Sequence, residues 1–300
     1  MQNIKIGTLI SSDNVRKVMP KLIPLGFETF SITFWETTDG CDLIDLANFV
    51  NETLKDTNCT ISSLSIFGNP LATDARGPKG IKSWESLIDV AHLFGTDLVT
   101  GFTGRVTNRP VDESIPKFKE IFTPLAKRAQ EKSVRLAFEN CNMEGSWYTG
   151  DWNIAFTPMA WDMIFEALPF DNIGLQWEPC HQMVQLVDPI PQLRKWVGKI
   201  FNVHGKDATI AWDIVREKGI SGVEPFVWHR TPGFGDSNWS DIITILRMAK
   251  YSGSIDIEGF HDPVYNGELE YTGQVFALNY LKNSRGGEFI PNPEHDEVRL

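Results

Sequence analysis

Eight short runs rich in Ile, Val, Leu and Phe recur along this chain, near residues 4-10, 27-33, 60-67, 97-102, 134-139, 172-178, 200-204 and 254-259. Most do not alternate apolar with polar residues, which is how strands buried on both faces of a parallel sheet read. Helical stripes separate most of them. Leu43, Leu46, Ala47, Val50 and Leu54 share one face of 42-56, and Trp84, Leu87, Ile88 and Ala91 share another. A third stripe carries Ile115, Phe118, Phe122, Leu125 and Ala129, with Pro124 predicting a kink inside it. Further helices are expected after Ser240 and over 271-283. Eight β-then-α units in 300 residues predict an α/β chain folded as a single (β/α)8 TIM barrel over 1-283. An open doubly wound sheet is the other arrangement with this alternation. Residues 284-300, with Arg285-Gly-Gly and Pro291-Asn-Pro-Glu, read as an extended C-terminal extension.

The chain is acidic, with a net charge of -11, which argues against a nucleic-acid surface because phosphate binding needs clustered Lys and Arg. The four cysteines, Cys41, Cys59, Cys141 and Cys180, show no C-x-x-C spacing and read as reduced thiols. Met1-Gln-Asn-Ile-Lys-Ile-Gly enters a strand pattern without the long apolar region of a signal peptide. No apolar stretch approaches the roughly 18 to 20 residues that span a bilayer. A cytoplasmic protein with no membrane or nucleic-acid partner is expected.

Four of the runs end on metal-competent side chains: Glu139, Glu178, His204 and Glu258, with His181 three residues past Glu178. A parallel barrel gathers the C-terminal ends of its strands at one face, so these four predict one convergent site. Three carboxylates and an imidazole form an oxygen-rich donor set, suited to Mn2+, Mg2+ or Co2+ better than to a structural zinc. In Val203-His-Gly-Lys-Asp207, Asp207 or a backbone carbonyl could accept the second N–H of His204. Trp35, Trp147, Trp152, Trp177, Trp212 and Trp228 fall at or just after strand ends, where such rings suit sugar C–H faces. Glu144 and Arg230 are candidates for hydroxyl contacts. Gly233-Phe-Gly235-Asp lacks the Gly-Lys-Ser/Thr of a phosphate loop, and no Gly-x-Gly-x-x-Gly follows the first run.

Taken in order, Glu139-Asn, Trp-Glu178-Pro-Cys-His181, His204-Gly-Lys-Asp207, Gly233-Phe-Gly-Asp-Ser-Asn-Trp239 and Ile257-Glu258 resemble the xylose-isomerase-like TIM barrels. That group of sugar phosphate isomerases/epimerases includes ketose 3-epimerases and inosose dehydratases. The resemblance implies a metal quartet of Glu139, Glu178, His204 and Glu258, with Glu178 where the family's D-x-x-H element has Asp. It implies one divalent ion, Mn2+ first and Mg2+ or Co2+ next, and proton transfer α to a carbonyl through an enediolate. Glu139 and Glu258 are then the catalytic pair with His181 beside them, and Glu144, Trp147, Lys206 and Arg230 the substrate contacts. Few Lys or Arg cluster near the expected mouth, so an unphosphorylated sugar or keto-sugar is the expected ligand, and a homo-oligomer the expected assembly. Three other readings stay open. One is a dehydratase, or a lyase acting on a cyclitol or 3-keto-glycoside, another a non-catalytic sugar-binding barrel. The third, a nuclease, is disfavoured by acidity and too few histidines.

Overall fold

Residues 4–259, 261–286 and 290 are described by the computed structural model of the chain. The strands are β1 (Lys5–Ser11), β2 (Thr29–Trp35), β3 (Thr60–Phe67), β4 (Leu98–Gly101), β5 (Arg135–Glu139), β6 (Ile173–Trp177), β7 (Ile200–Gly205), β8 (Asp207–Ile210), β9 (Val227–Arg230) and β10 (Ser254–Ile257). The helices are α1 (Val15–Leu22), α2 (Leu43–Leu54), α3 (Arg76–Val90), α4 (Val111–Glu131), α5 (Pro158–Ala167), α6 (Cys180–Met183), α7 (Pro189–Trp196), α8 (Trp212–Lys218), α9 (Trp239–Met248) and α10 (Glu270–Ser284). Strands β1, β10, β7, β6, β5, β4, β3 and β2 pair in that order into a closed barrel. Every pair in it is parallel, and Lys5 opposite Ser254 closes the ring. The fold is a (β/α)8 TIM barrel.

All eight apolar runs are barrel strands, because each is buried between the outer helices and the barrel interior. Local signals set the helix starts: Asp42 accepts from Ile44 N (3.1 Å) and Asp45 N (2.9 Å) to cap α2, and Asp188 accepts from Ile190 N (2.9 Å) to cap α7, which opens on Pro189. Helix α4 continues as one helical segment through both Pro116 and Pro124. Each proline withdraws one backbone donor, yet Phe118, Phe122 and Leu125 are fully buried around them, and that packing holds the helix together. Helix α10 reaches Ser284, and Arg285 is buried, donating to Ile4 O (2.6 Å) and to both oxygens of Glu28 (2.6 and 3.0 Å). The packed barrel therefore extends beyond the expected boundary at 283. Most of the proposed extension, His295 included, lies outside the described residues.

Two features had no counterpart in the sequence reading. The connection from β7 to α9 folds into an antiparallel ribbon, β8 with β9, carrying α8 at its far end. The barrel interior has a layer of small polar side chains: Ser31 Oγ lies 2.8 Å from Ser63 Oγ and 3.0 Å from Ser65 Oγ, and Ser65 Oγ lies 2.6 Å from Thr100 Oγ1. These residues are completely buried and pay for desolvation by bonding one another. Among the described residues, no helix is long and apolar enough to cross a membrane.

Candidate metal centre

Side chains two residues apart on a strand point the same way. Gln176, Asn202 and Asp256 precede Glu178, His204 and Glu258 by two, and they form a hydrogen-bonded layer beneath the strand ends. Gln176 Nε2 donates to Asn202 Oδ1 (2.9 Å), and Asn202 Nδ2 donates to Asp256 Oδ2 (2.8 Å) and Ser254 Oγ (3.0 Å). This layer fixes the strand ends that carry the donors above it. Immediately after β5, Asn140 makes a reciprocal pair with the backbone of Glu178, accepting from its N–H (2.7 Å) and donating to its carbonyl (2.9 Å).

On that support, Glu139, Glu178, His204 and Glu258 each offer a ligand atom, all within 4.8 Å of one another. His204 Nδ1 stands 2.8 Å from Glu139 Oε1 and 3.1 Å from Glu258 Oε2. An octahedral shell with bonds of ~2.1 Å has neighbouring donors ~3.0 Å apart, so the spacing suits a divalent cation. These contacts lie at hydrogen-bond distance but not in hydrogen-bond geometry. Both oxygens of Glu178, both nitrogens of His204 and Glu258 Oε2 are buried without a hydrogen-bond partner. Unsatisfied carboxylate and imidazole atoms aimed at one another are costly unless a cation lies between them, so the residues fit a bound metal ion.

The flank of the cluster is cationic and aromatic. Lys206 is buried and donates to Glu258 Oε1 at 2.5 Å, with His181 Nε2 at 3.5 Å. His181 Nε2 is also 2.8 Å from Glu178 Oε1. Burial pushes the Glu258 carboxyl up, but the Lys206 ammonium and His204 outweigh it and hold the carboxyl well below the usual range. Burial favours a neutral Lys206, yet Glu258 reverses this and keeps the ammonium charged. Burial also disfavours charged His204, but Glu139 and Glu258 push its pKa up to about 9. His181 goes the other way: burial and then Lys206 drive it well below 6.5, leaving a neutral imidazole. Next to His181 stands His229 on β9, edge-on at 5.2 Å, followed by His261 at 5.6 Å. The opposite side is apolar, with Phe67 edge-on to His204 at 6.5 Å and packed on Phe102 at 5.0 Å.

Of the residues singled out in the sequence, Glu139, Glu178, His181, His204, Lys206 and Glu258 converge here. Lys206, expected to meet substrate, is bonded within the cluster. Arg230 lies at the base of the β8–β9 ribbon with its Nε 3.4 Å from Asp262 Oδ2. Glu144 is exposed in a tight turn and close enough to His261 to influence its charge electrostatically. Trp147 is half-buried against the main core, and its carbonyl accepts from Arg105 Nη2 (2.9 Å). Trp177 leaves the mouth set: it is fully buried and donates to Gln192 Oε1 (2.8 Å). Asp207 does not orient His204. It accepts from Ala208 N (2.8 Å), Ser237 N (3.0 Å) and Trp239 Nε1 (3.0 Å), which ties the ribbon to the start of α9. This explains Gly235, where a Cβ would sit 2.5 Å from the Asp207 carboxylate. Asn140 and Phe67 were missed as site residues, and His229, like His261, was a loop histidine that no spacing tied to a role. Of the missed pair, only Asn140 left a signal, as the neighbour of Glu139.

Comparison with known proteins follows the same lines. Inosose dehydratase of Clostridium tetani (strain Massachusetts / E88) is 28% identical over 163 residues, 53% of this chain and 50% of that protein, so the chain spans about half the length of that curated relative. D-psicose 3-epimerase superposes with a TM-score of 0.70 at 14% identity, covering 95% of this chain and 100% of its own. The IOLI protein, solved with a binding zinc atom, superposes with a TM-score of 0.65 at 20% identity, covering 94% and 96%. At those identities the structures establish the fold alone. Residues 22–279 match the family described as xylose isomerase-like TIM barrel, and the chain belongs to that family.

Proposed function

We propose that this protein is a divalent-metal-dependent sugar isomerase or epimerase that moves a proton α to a carbonyl of an unphosphorylated sugar or keto-sugar. The observation that carries the reading is the convergence of Glu139, Glu178, His204 and Glu258 within 4.8 Å, with both Glu178 oxygens, both His204 nitrogens and Glu258 Oε2 buried without a hydrogen-bond partner. A divalent ion held there, with Mn2+ the best match to three carboxylates and one imidazole, would stabilise the negative charge of the enediolate. Glu139 takes the α-proton. The returned proton comes from the Lys206 ammonium, relayed through the Glu258 carboxylate across their 2.5 Å bond, and exchange with solvent then restores Lys206 and Glu139. Neutral His181 accepts a hydrogen bond from a substrate hydroxyl or from Lys206, and the Phe67 side excludes water. Glu144, Trp147 and Arg230 are the proposed outer contacts to sugar hydroxyls.

A second reading keeps this site but expels a hydroxyl after proton removal, as a dehydratase; the similarity to inosose dehydratase favours it. Lys206, held as an ammonium beside Glu258, could then protonate the leaving group. One experiment separates the two. Metal-loaded protein is incubated with ketoses and inososes in heavy water and followed by NMR. Deuterium at the carbon next to the carbonyl, with the epimer appearing and no enone, is expected. Loss of water identifies the dehydratase. Absence of exchange on every substrate, together with unchanged thermal stability after chelation, rules out the metalloenzyme reading.

A further inference from the structure

The apolar side of the metal centre continues outward onto the barrel rim. Phe67, the last residue of β3, is in register with Trp35, the last residue of β2, so the two rings stand on the same side of adjacent strands. Phe67 meets His204 edge-on, while Trp35 lies one strand further away, a step of about 4.8 Å. Trp35 packs on Trp152 with centroids 5.4 Å apart and rings tilted by 37°. Trp152 in turn rests on the small cluster of Phe67, Phe102 and Cys141. An aromatic surface therefore runs without a break from the ring of His204 to the open rim.

Its outer end is rigid. Asp151, before Trp152, is bonded by Arg76 Nη1 (2.5 Å) and Thr107 Oγ1 (2.6 Å). Asn153, after it, donates to the carbonyls of Glu139 and Cys141, both at 2.8 Å. Trp152 is thus clamped on both sides, and one clamp holds the backbone of Glu139 itself. Despite this anchoring, Trp35 is 58% exposed. A large ring kept accessible on a fixed platform, contiguous with the reacting centre, is arranged to receive a flat apolar face.

We propose that Trp35 and Trp152 form an outer subsite that binds a second ring attached to the sugar, so that the substrate is a keto-glycoside, with its carbonyl on a ring carbon away from the glycosidic centre, rather than a free monosaccharide. This rests on the reading of the metal centre as a sugar site. The reacting sugar fills the space between Phe67 and the Lys206–His181 side, and its aglycone or second sugar lies on Trp35. The subsite takes an aryl group or the C–H face of a pyranose.

The test uses calorimetric titration of metal-loaded protein with paired methyl and p-nitrophenyl 3-keto-glycosides of the gluco, galacto and manno series, in both anomers. In at least one pair the aryl glycoside is expected to bind about tenfold more tightly than the methyl glycoside. Trp35→Ala should abolish that preference while leaving methyl-glycoside affinity, metal content and thermal stability unchanged, and Trp35→Phe should retain most of it. Equal binding within every pair, binding of no glycoside, or a preference that survives Trp35→Ala overturns the proposal. Heavy-water exchange on free ketoses would in those cases leave the reading of the metal centre intact.

Discussion

His204 and Lys206, two residues apart, are both held in their charged forms by the same carboxylate, Glu258. Glu139 and Glu258 push the His204 pKa up to about 9, so below that pH the metal-free imidazole carries a proton that a cation must displace. Between pH 7 and 9 the apparent metal affinity should rise about tenfold per pH unit, with close to one proton released, measured by calorimetry in buffers of different ionisation enthalpy. The sign for stability is opposite. A group whose pKa is raised by folding stabilises the fold below its unfolded value, near 6.5, and that contribution is lost as pH rises through about 9. Chelated protein should therefore melt lower at pH 9 than at pH 7, and His204→Gln should flatten the slope. Lys206 acts on Glu258 directly. Lys206→Met should lower kcat by about 10- to 100-fold with metal content retained. It should also move the acidic limb of the pH–rate profile upward, since Glu258 loses the main group depressing its pKa. The donor quartet was legible in the sequence because each member ends a strand. Lys206 was legible only as a nearby cation, because its partner Glu258 lies 52 residues away. His229 was legible only as a loop histidine without supporting spacing, since its place depends on a ribbon that no apolar periodicity marks.

The connection from β5 to α5 does more than join two elements. Asn142, Met143, Glu144 and Gly145 form a turn closed by Gly145 N to Asn142 O at 2.8 Å, with Met143 and Glu144 both left-handed (φ 46° and 59°). Neither residue favours that region, and such conformations concentrate at ligand-binding loops. Further on, Asn153 accepts from Thr103 Oγ1 (2.6 Å) and Ala155 N (3.2 Å) while donating to the Glu139 and Cys141 carbonyls. Asn153→Ala leaves these buried groups unpaired and should cost about 3 kcal/mol, read from denaturant midpoints. Metal affinity should fall with it, because the Glu139 backbone loses its tether. Strands were predicted within two residues of their ends, since burial on both faces leaves a simple apolar signature. The β8–β9 ribbon escaped because its exposed Trp212 and Trp228 read as mouth aromatics rather than as parts of a short antiparallel insertion.

At the scale of the barrel, the two ends of the described chain meet. Arg285 bonds Glu28 and the carbonyl of Ile4, and Ile6 N donates to Glu28 Oε2 (2.8 Å), so one carboxylate ties β1, β2 and the end of α10 together. Burial raises the Glu28 pKa, but Arg285 and the Ile6 amide lower it further, and the net shift is downward. A depressed carboxylate pKa stabilises the fold above its unfolded value and is lost as pH falls through the folded one, so this clamp weakens below about pH 4.5. Arg285→Ala should cost about 2 kcal/mol at pH 7 and less at pH 3.5, measured by urea unfolding at both. The barrel itself was readable from eight repeating units, whereas this clamp was not, because nothing local links Glu28 to Arg285. Closure of the ring has a further consequence during synthesis. Thr8 on β1 donates to Ile257 O on β10 across 249 residues. At ~5 to 20 residues per second, the ribosome needs roughly 12 to 50 s to supply that partner. For that time β1 presents an unpaired edge of Lys-Ile-Gly-Thr-Leu-Ile-Ser, which makes the nascent chain, rather than the finished barrel, the form most in need of chaperone cover.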